Sequence, residues 1–228
     1  MTERGVGGLR RFVQPPTTPG SPDLRRFLTP RQRPAPGERC EFCTEELPDR
    51  HSHVVNVETR SLMCACRSCY FLFAPEGAAA GKYRAVPERW LRDPEFRLAD
   101  ETWDTLQIPV GIAFFFRNST MDQTVAFYPS PAGATESLLP LDAWAAVERT
   151  NPVLAELVPD VEALLVYRPR GRPMRCFLVP IDACYELVGI IRRHWKGFDG
   201  GDEAWGRIDA FFDEVQARSR PVASAVRA

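Results

Sequence analysis

Cys40-Glu-Phe-Cys43 and Cys66-Arg-Ser-Cys69 frame 22 residues that include His51-Ser-His53-Val-Val-Asn-Val57 and Ser61-Leu-Met-Cys64. A C-x-x-C spacing lets two thiolates point at one ion, and two such pairs supply a tetrahedral site of four sulfurs. The residues between the pairs suit that arrangement. Val54, Val55 and Val57 read as a β-strand, Glu58-Thr59-Arg60 as a turn, and Ser61 to Cys64 as a returning strand. A hairpin between two cysteine knuckles is the layout of a zinc ribbon. A unit this small cannot fold on apolar burial alone, so a metal would supply much of its stability.

The expected ligands are Cys40, Cys43, Cys66 and Cys69, with Cys64 or His53 as substitutes for one of them and His51 as a further candidate. The alternative is a set of reduced cysteines packed as small hydrophobes. On an extended strand Cys64 would share a face with Cys66, displaced from it by roughly 6–7 Å. Zinc and iron both suit four thiolates. Rubredoxin-type iron sites usually follow each knuckle with glycine; here Thr44 and Tyr70 stand in those places, which favours zinc. His51-Ser-His53 between two C-x-x-C pairs resembles the layout of HNH nucleases. That reading needs an acidic ligand beside the catalytic histidine, and Val54-Val55 follows His53 instead.

The chain of 228 residues has 44% hydrophobic and 26% charged residues, enough for a core, and a formal net charge of −1. That balance speaks against a strongly basic nucleic-acid binder. No apolar run approaches the 18 or so residues of a membrane span, and Ile108 to Phe116 is about half that. Charge is unevenly spread. Residues 1–39 carry eight arginines and seven prolines and sum to +5; the remainder sums to −6. Residues 1–37 therefore read as a disordered, basic, proline-rich tail, with Leu9-Arg10-Arg11-Phe12 repeated as Leu24-Arg25-Arg26-Phe27. The twin arginine Arg10-Arg11 lacks the apolar segment an export signal needs, so a cytoplasmic location and reduced thiols are expected.

Outside the cysteine segment the chain reads as α+β. The expected organisation is the tail, a zinc-ribbon-like domain over 38–75, an α+β domain over 83–218 and a frayed end over 219–228. In the α+β domain, short helices are expected at Pro87–Leu91 and Asp100–Leu106, the second capped by Asp100. Val110–Phe116 is too apolar for an edge and reads as a central strand, returning as Gln123–Tyr128 after a turn at Asn118. Pro129–Ala134 reads as a loop, and Asp142–Glu148 as a helix ending near Asn151-Pro152. Val161–Tyr167 and Met174–Val179 read as a strand pair in a mixed or antiparallel sheet. Two helices close the chain. One runs over about 182–195, capped by Asp182, with an apolar stripe of Leu187, Val188, Ile191 and Trp195. The other runs over about 202–218 with Trp205, Ile208, Phe211, Phe212 and Val215. Cys176 and Cys184 read as small buried residues. His194, in Arg192-Arg193-His194-Trp195-Lys196, is explained by the helix dipole.

No phosphate-binding loop, nucleophile elbow or H-E-x-x-H motif is found, so a non-enzymatic protein is expected. Four segments resemble a family of high-GC Gram-positive bacteria encoded beside uptake [NiFe]-hydrogenase genes. They are Cys40–Tyr70, Gln107-Ile-Pro-Val-Gly-Ile-Ala-Phe-Phe-Phe116, Leu178-Val-Pro-Ile-Asp-Ala-Cys-Tyr-Glu-Leu-Val188 and His194-Trp-Lys-Gly-Phe198. The resemblance covers about residues 38–217 and implies a context: a metal-binding accessory protein for hydrogenase assembly or maturation, with a hydrogenase subunit or maturation factor as partner. Two other readings stay open, a rubredoxin-like electron carrier or thiol redox sensor, and a zinc ribbon that binds nucleic acid through Arg60, Arg67 and the tail.

Overall fold

All six residues of the strand Glu162–Tyr167 (β8) are buried, although a strand points successive side chains to opposite faces. Such a strand needs cover on both sides, and the computed structural model, which describes residues 39–169, 171–197 and 199–222, provides it. β8 lies between Ile112–Asn118 (β5) and Arg175–Pro180 (β9). Beyond β5 come Gln123–Ser130 (β6) and Gly133–Ser137 (β7); beyond β9 come Leu91–Arg92 (β4) and Arg220–Pro221 (β10). The pairings are antiparallel except β10 with β4, so the seven-stranded sheet is mixed.

Side-chain alternation divides the core. Ile112, Phe114, Ala163, Leu165, Tyr167, Phe177 and Val179 face the two C-terminal helices, Ile181–His194 (α4) and Gly201–Arg218 (α5), and meet Leu187, Ile191, Ile208 and Phe212 there. Ala113, Phe115, Leu164 and Val166 face the other way, onto Trp103 of Asp100–Thr105 (α2) and Trp144 and Val147 of Leu141–Thr150 (α3). Phe115 and Trp144 stack with ring centroids 4.6 Å apart. The α+β class with two C-terminal helices is therefore as expected. No helix among the described residues is long and apolar enough to cross a membrane.

The cysteine segment forms a second, antiparallel sheet of Ser61–Ala65 (β2), Ser52–Asn56 (β1) and Tyr83–Ala85 (β3), in the order β2-β1-β3. Its two faces have different neighbours. Val54 packs with Cys40, Ala65, Cys66, Cys69 and Tyr70, whereas Val55 joins Val86 in the cluster under α4 and α5, with Leu62 against it. Polar contacts reinforce the junction. Arg84 of β3 donates to the Pro159 carbonyl (3.2 Å), and Arg89 donates to Glu162 (2.8 Å), a carboxylate 2% exposed.

Several expectations are corrected. Tyr83–Ala85 belongs to the small sheet instead of opening the α+β domain, and the described residues fall in one compact unit. The end expected to fray over 219–228 is paired as β10 through Pro221; residues 223–228, like the tail at 1–37 with its repeat, lie outside the described residues. Pro87–Leu91 is not helical, because Leu91 pairs with Leu178 and so short a segment cannot repay helix nucleation. Pro129 and Ser130 extend β6, and Gly133 starts β7; the Ser130 hydroxyl accepts the Ala132 N–H (3.2 Å) and so braces the turn. The caps are Ala99 and Pro180, not Asp100 and Asp182, whose carboxylates go instead to Arg168 (2.8 Å) and His53 (2.9 Å). Trp205 is 40% exposed; its indole N–H donates to the Asp199 carbonyl at 2.8 Å. Gly200, at φ 88°, lies under the Trp195 ring, where a Cβ would come within 2.9 Å of ring carbon.

Candidate metal centre

Residues 39–46 close a tight turn. The Cys40 N–H donates to the Glu45 carbonyl (2.8 Å) and the Thr44 N–H to the Cys40 carbonyl (2.8 Å). Thr44, in the place where a glycine is usual, adopts φ 65°, a left-handed conformation costly for a β-branched residue. The second pair is built differently. Cys66 caps the helix Arg67–Leu72 (α1), and its Sγ accepts the Cys69 N–H at 3.5 Å. The chain runs on into α1, so Tyr70 needs no left-handed turn. Its hydroxyl donates to the Val86 carbonyl at 3.1 Å and anchors α1. Glu41 joins the turn to the hairpin: its N–H donates to the Cys64 carbonyl (2.9 Å) and its carboxylate accepts the Cys64 N–H (2.8 Å).

These contacts bring the Sγ atoms of Cys40, Cys43, Cys66 and Cys69 within 4.8 Å of one another. Cys43 Sγ and Cys66 Sγ are 3.6 Å apart, far beyond the ~2.05 Å of a disulfide. Tetrahedral zinc with Zn–S of about 2.3 Å places its sulfurs roughly 3.8 Å apart, so the set fits one ion. Cys40, Cys66 and Cys69 are buried and Cys43 is exposed. Phe42, Phe73 and Tyr83 wall the site, with ring centroids 4.7–5.6 Å apart.

The electrostatics of the four thiols differ. Burial would raise Cys40, but N–H groups of Cys66, Cys43 and Phe42 directed at its sulfur outweigh it and bring its pKa down to about 6. Burial, and then the neighbouring Cys43 and Cys66 side chains, push Cys69 far up. Several thiolates this close in a buried site repel unless a cation neutralises them. The cluster can thus hold a metal ion.

Cys64 and His53, the expected substitutes, stand outside this group. Cys64 pairs across the ladder with His53 and lies on the face of Leu62 and Val55. β2 ends at Ala65, and Cys66 packs with Val54, Cys40 and Cys69, so Cys64 does not share its surroundings. Instead, Cys64 Sγ and a ring nitrogen from each of His51 and His53 lie within 4.8 Å of one another. Sequence reasoning does not find Asp182 as the partner of His53, because 129 positions separate them. Cys184 is fully buried and Cys176 half-buried, and burial raises both thiols. His194 bonds Glu203 at 3.0 Å beside Lys196.

No curated protein and no solved structure matches the chain. Residues 39–219, from the turn before the first cysteine to the end of α5, match the family of unknown function DUF5947, and the chain belongs to that family.

Proposed function

We propose that this chain is a non-enzymatic zinc-binding accessory protein, in which Cys40, Cys43, Cys66 and Cys69 hold one structural Zn²⁺. The observation that carries the reading is the convergence of four cysteine sulfurs within 4.8 Å of one another. Bound there, the ion would neutralise the thiolates and tie the 40–44 turn to α1. The resemblance of the cysteine segment, Gln107–Phe116 and Leu178–Val188 to proteins encoded beside uptake hydrogenases suggests the setting: assembly or maturation of a [NiFe] hydrogenase, with a subunit or maturation factor as partner. Arg67, which a nucleic-acid reading would use, is engaged by Glu88 at 2.8 Å.

The test is metal analysis with a visible spectrum on the full chain purified with and without air. Zinc without visible absorption is expected, with one equivalent lost in Cys43→Ser and in Cys66→Ser. The exposure of Cys43 favours a second reading, an iron-bearing electron carrier or thiol redox sensor. A coloured, reducible iron protein would establish it in place of the first. For the setting, deletion of the gene in a hydrogen-oxidising host should lower uptake-hydrogenase activity; unchanged activity would remove that part of the proposal.

A further inference from the structure

We infer that His51, His53 and Cys64 form a second, separate transition-metal site, with three protein ligands and one position left for an outside donor. Three observations converge on it. The donor atoms lie within 4.8 Å of one another, on the face of β1 and β2 that carries Val55 and Leu62 and not among the four cysteines. Both imidazoles are set in the form that binds metal. His51 Nδ1 is 2.9 Å from the Pro48 carbonyl and His53 Nδ1 is 2.9 Å from Asp182 Oδ2. Carbonyl and carboxylate oxygens only accept, so Nδ1 carries a hydrogen on each ring, and in the neutral imidazole Nε2 is the nitrogen with the lone pair. The third observation is His51 Nε2 itself, a buried nitrogen with no hydrogen-bond partner. A buried polar atom left unpaired costs free energy, and a ligand is one way to satisfy it.

The hairpin explains the placement. His53 and Cys64 face each other across β1 and β2, and the N–H and C=O of Cys64 both turn outward to Glu41. That makes a non-hydrogen-bonded pair, the kind whose side chains approach most closely. His51 precedes His53 by two residues and lies on the same side, with ring centroids 4.8 Å apart. An ion with M–N near 2.0–2.1 Å and M–S near 2.3 Å needs donors roughly 3.3–3.8 Å apart, a small side-chain rotation from the arrangement seen. Asp182, from the first turn of α4, acts on the site through His53 as a positioning residue.

Two imidazoles and one thiolate suit Zn²⁺ or a similar borderline divalent ion. On binding, Cys64 releases its thiol proton to solvent and forms the sulfur–metal bond, while the two neutral imidazoles donate lone pairs. His51, His53 and Asp182 also line a cleft of about 870 Å³ between the small sheet and helices α4 and α5. The fourth donor, water or a carboxylate or thiolate of a bound molecule, would enter from that side.

The site is tested on the full chain reconstituted with Co²⁺, by metal content after desalting and by the sulfur-to-cobalt charge-transfer spectrum. The wild type should bind two ions. Cys64→Ser and, independently, His51→Ala should each bind one and keep the intense spectrum of the four-thiolate centre. Cys43→Ser should also keep one ion, with the weaker band of a single thiolate. Asp182→Asn should weaken the second ion 10–100-fold and leave the first unchanged. One ion in the wild type overturns the inference. So does a Cys64→Ser spectrum that has lost four-thiolate character, because Cys64 would then belong to the first centre. Loss of the intense band in Cys43→Ser tests the four-cysteine reading separately.

Discussion

The two sheets of this protein are stabilised by different means. The seven-stranded sheet is covered on both faces, with Phe114, Leu165 and Phe212 on one side and Phe115, Leu164 and Trp144 on the other. Large side chains there each contribute about 1.5–3 kcal/mol by burial. The small sheet has one apolar face against that body through Val55, Leu62 and Val86. Its other face carries a cluster in which Cys40, Cys66 and Cys69 take the place of large aliphatic residues. Three thiols and a few aromatics are a poor core, but together with Cys43 the thiols can hold a metal ion. With the proposed ion in place, the difference teaches where each region should fail: the body by loss of packing, the small sheet by loss of the ion. Because Val55 and Leu62 belong to the body's core, the second failure reaches the first.

Removing the ion should give the largest effect. A structural zinc contributes about 10–16 kcal/mol in small domains, comparable to the whole stability of a typical protein. Chelation, which strips every bound ion, should therefore unfold residues 39–73. Hydrogen exchange should show fast exchange there and weakened protection in α4, which loses its cover of Val55 and Leu62. Full protection of α4 after chelation would mean that the two regions are energetically separate.

Next comes the junction. Arg89→Ala leaves Glu162 buried without its cation and should cost about 3–5 kcal/mol in denaturant unfolding. A loss below about 1 kcal/mol would show that the Val158 N–H, which also reaches Glu162 at 2.9 Å, suffices.

The hairpin, the central strand and the two closing helices are legible because they rest on local signals: valine runs, an uninterrupted apolar stretch at Ile112–Phe116, and stripes at helical spacing. The four converging cysteines are legible from spacing alone. What escapes is non-local. β3 looks like a domain start because its partner, β1, lies about 30 residues earlier and nothing at Tyr83 records the pairing. Leu91–Arg92 is a strand only because β9 and β10 flank it. The separation of Cys64 from Cys66 depends on Cys66 packing beside Val54, and the role of Asp182 on its distance from His53. Neither can be read from periodicity.

Smaller effects refine the comparison within each region. In the body, burial and the Asp209 carboxylate push the Tyr167 hydroxyl up to about 12. Its ordinary value is near 10, so the neutral form is favoured by folding. This stabilisation is complete below pH 10 and is lost as pH rises through about 12. Alkaline unfolding should thus be less steep in Tyr167→Phe; an unchanged slope would show that ionisation of the Tyr167 hydroxyl, which donates to Asp209 at 2.8 Å, is not coupled to folding. In the small sheet, Thr44→Gly should relieve the φ of 65° and raise stability by about 0.5–1 kcal/mol, the strain relieved less the added chain entropy. A decrease would mean that the threonine side chain holds the turn. Smallest is Glu203, which hydrogen bonds from Lys196 and His194 bring down to about 2. Its contribution is present above pH 4.5 and fades as pH falls toward 2. Glu203→Gln should change acid unfolding only slightly, because the side chain is 50% exposed; a large change would mean that its contacts with His194 and Lys196 set the stability of α5.

The pairing of β10 with β4 has a consequence for how this protein meets others. An open sheet edge offers its unpaired amides as a template to any extended chain. Here that edge is finished by two strands of two residues each, one bearing Arg220 and a proline that cannot donate, the other Arg92. The Arg218 guanidinium lies 3.9 Å over the Trp90 ring and holds the two segments together. Strand addition at this margin, whether by a partner peptide or by a second copy seeding a fibril, would find few amides to grip. Association is thereby directed away from backbone pairing here, toward contacts made by side chains.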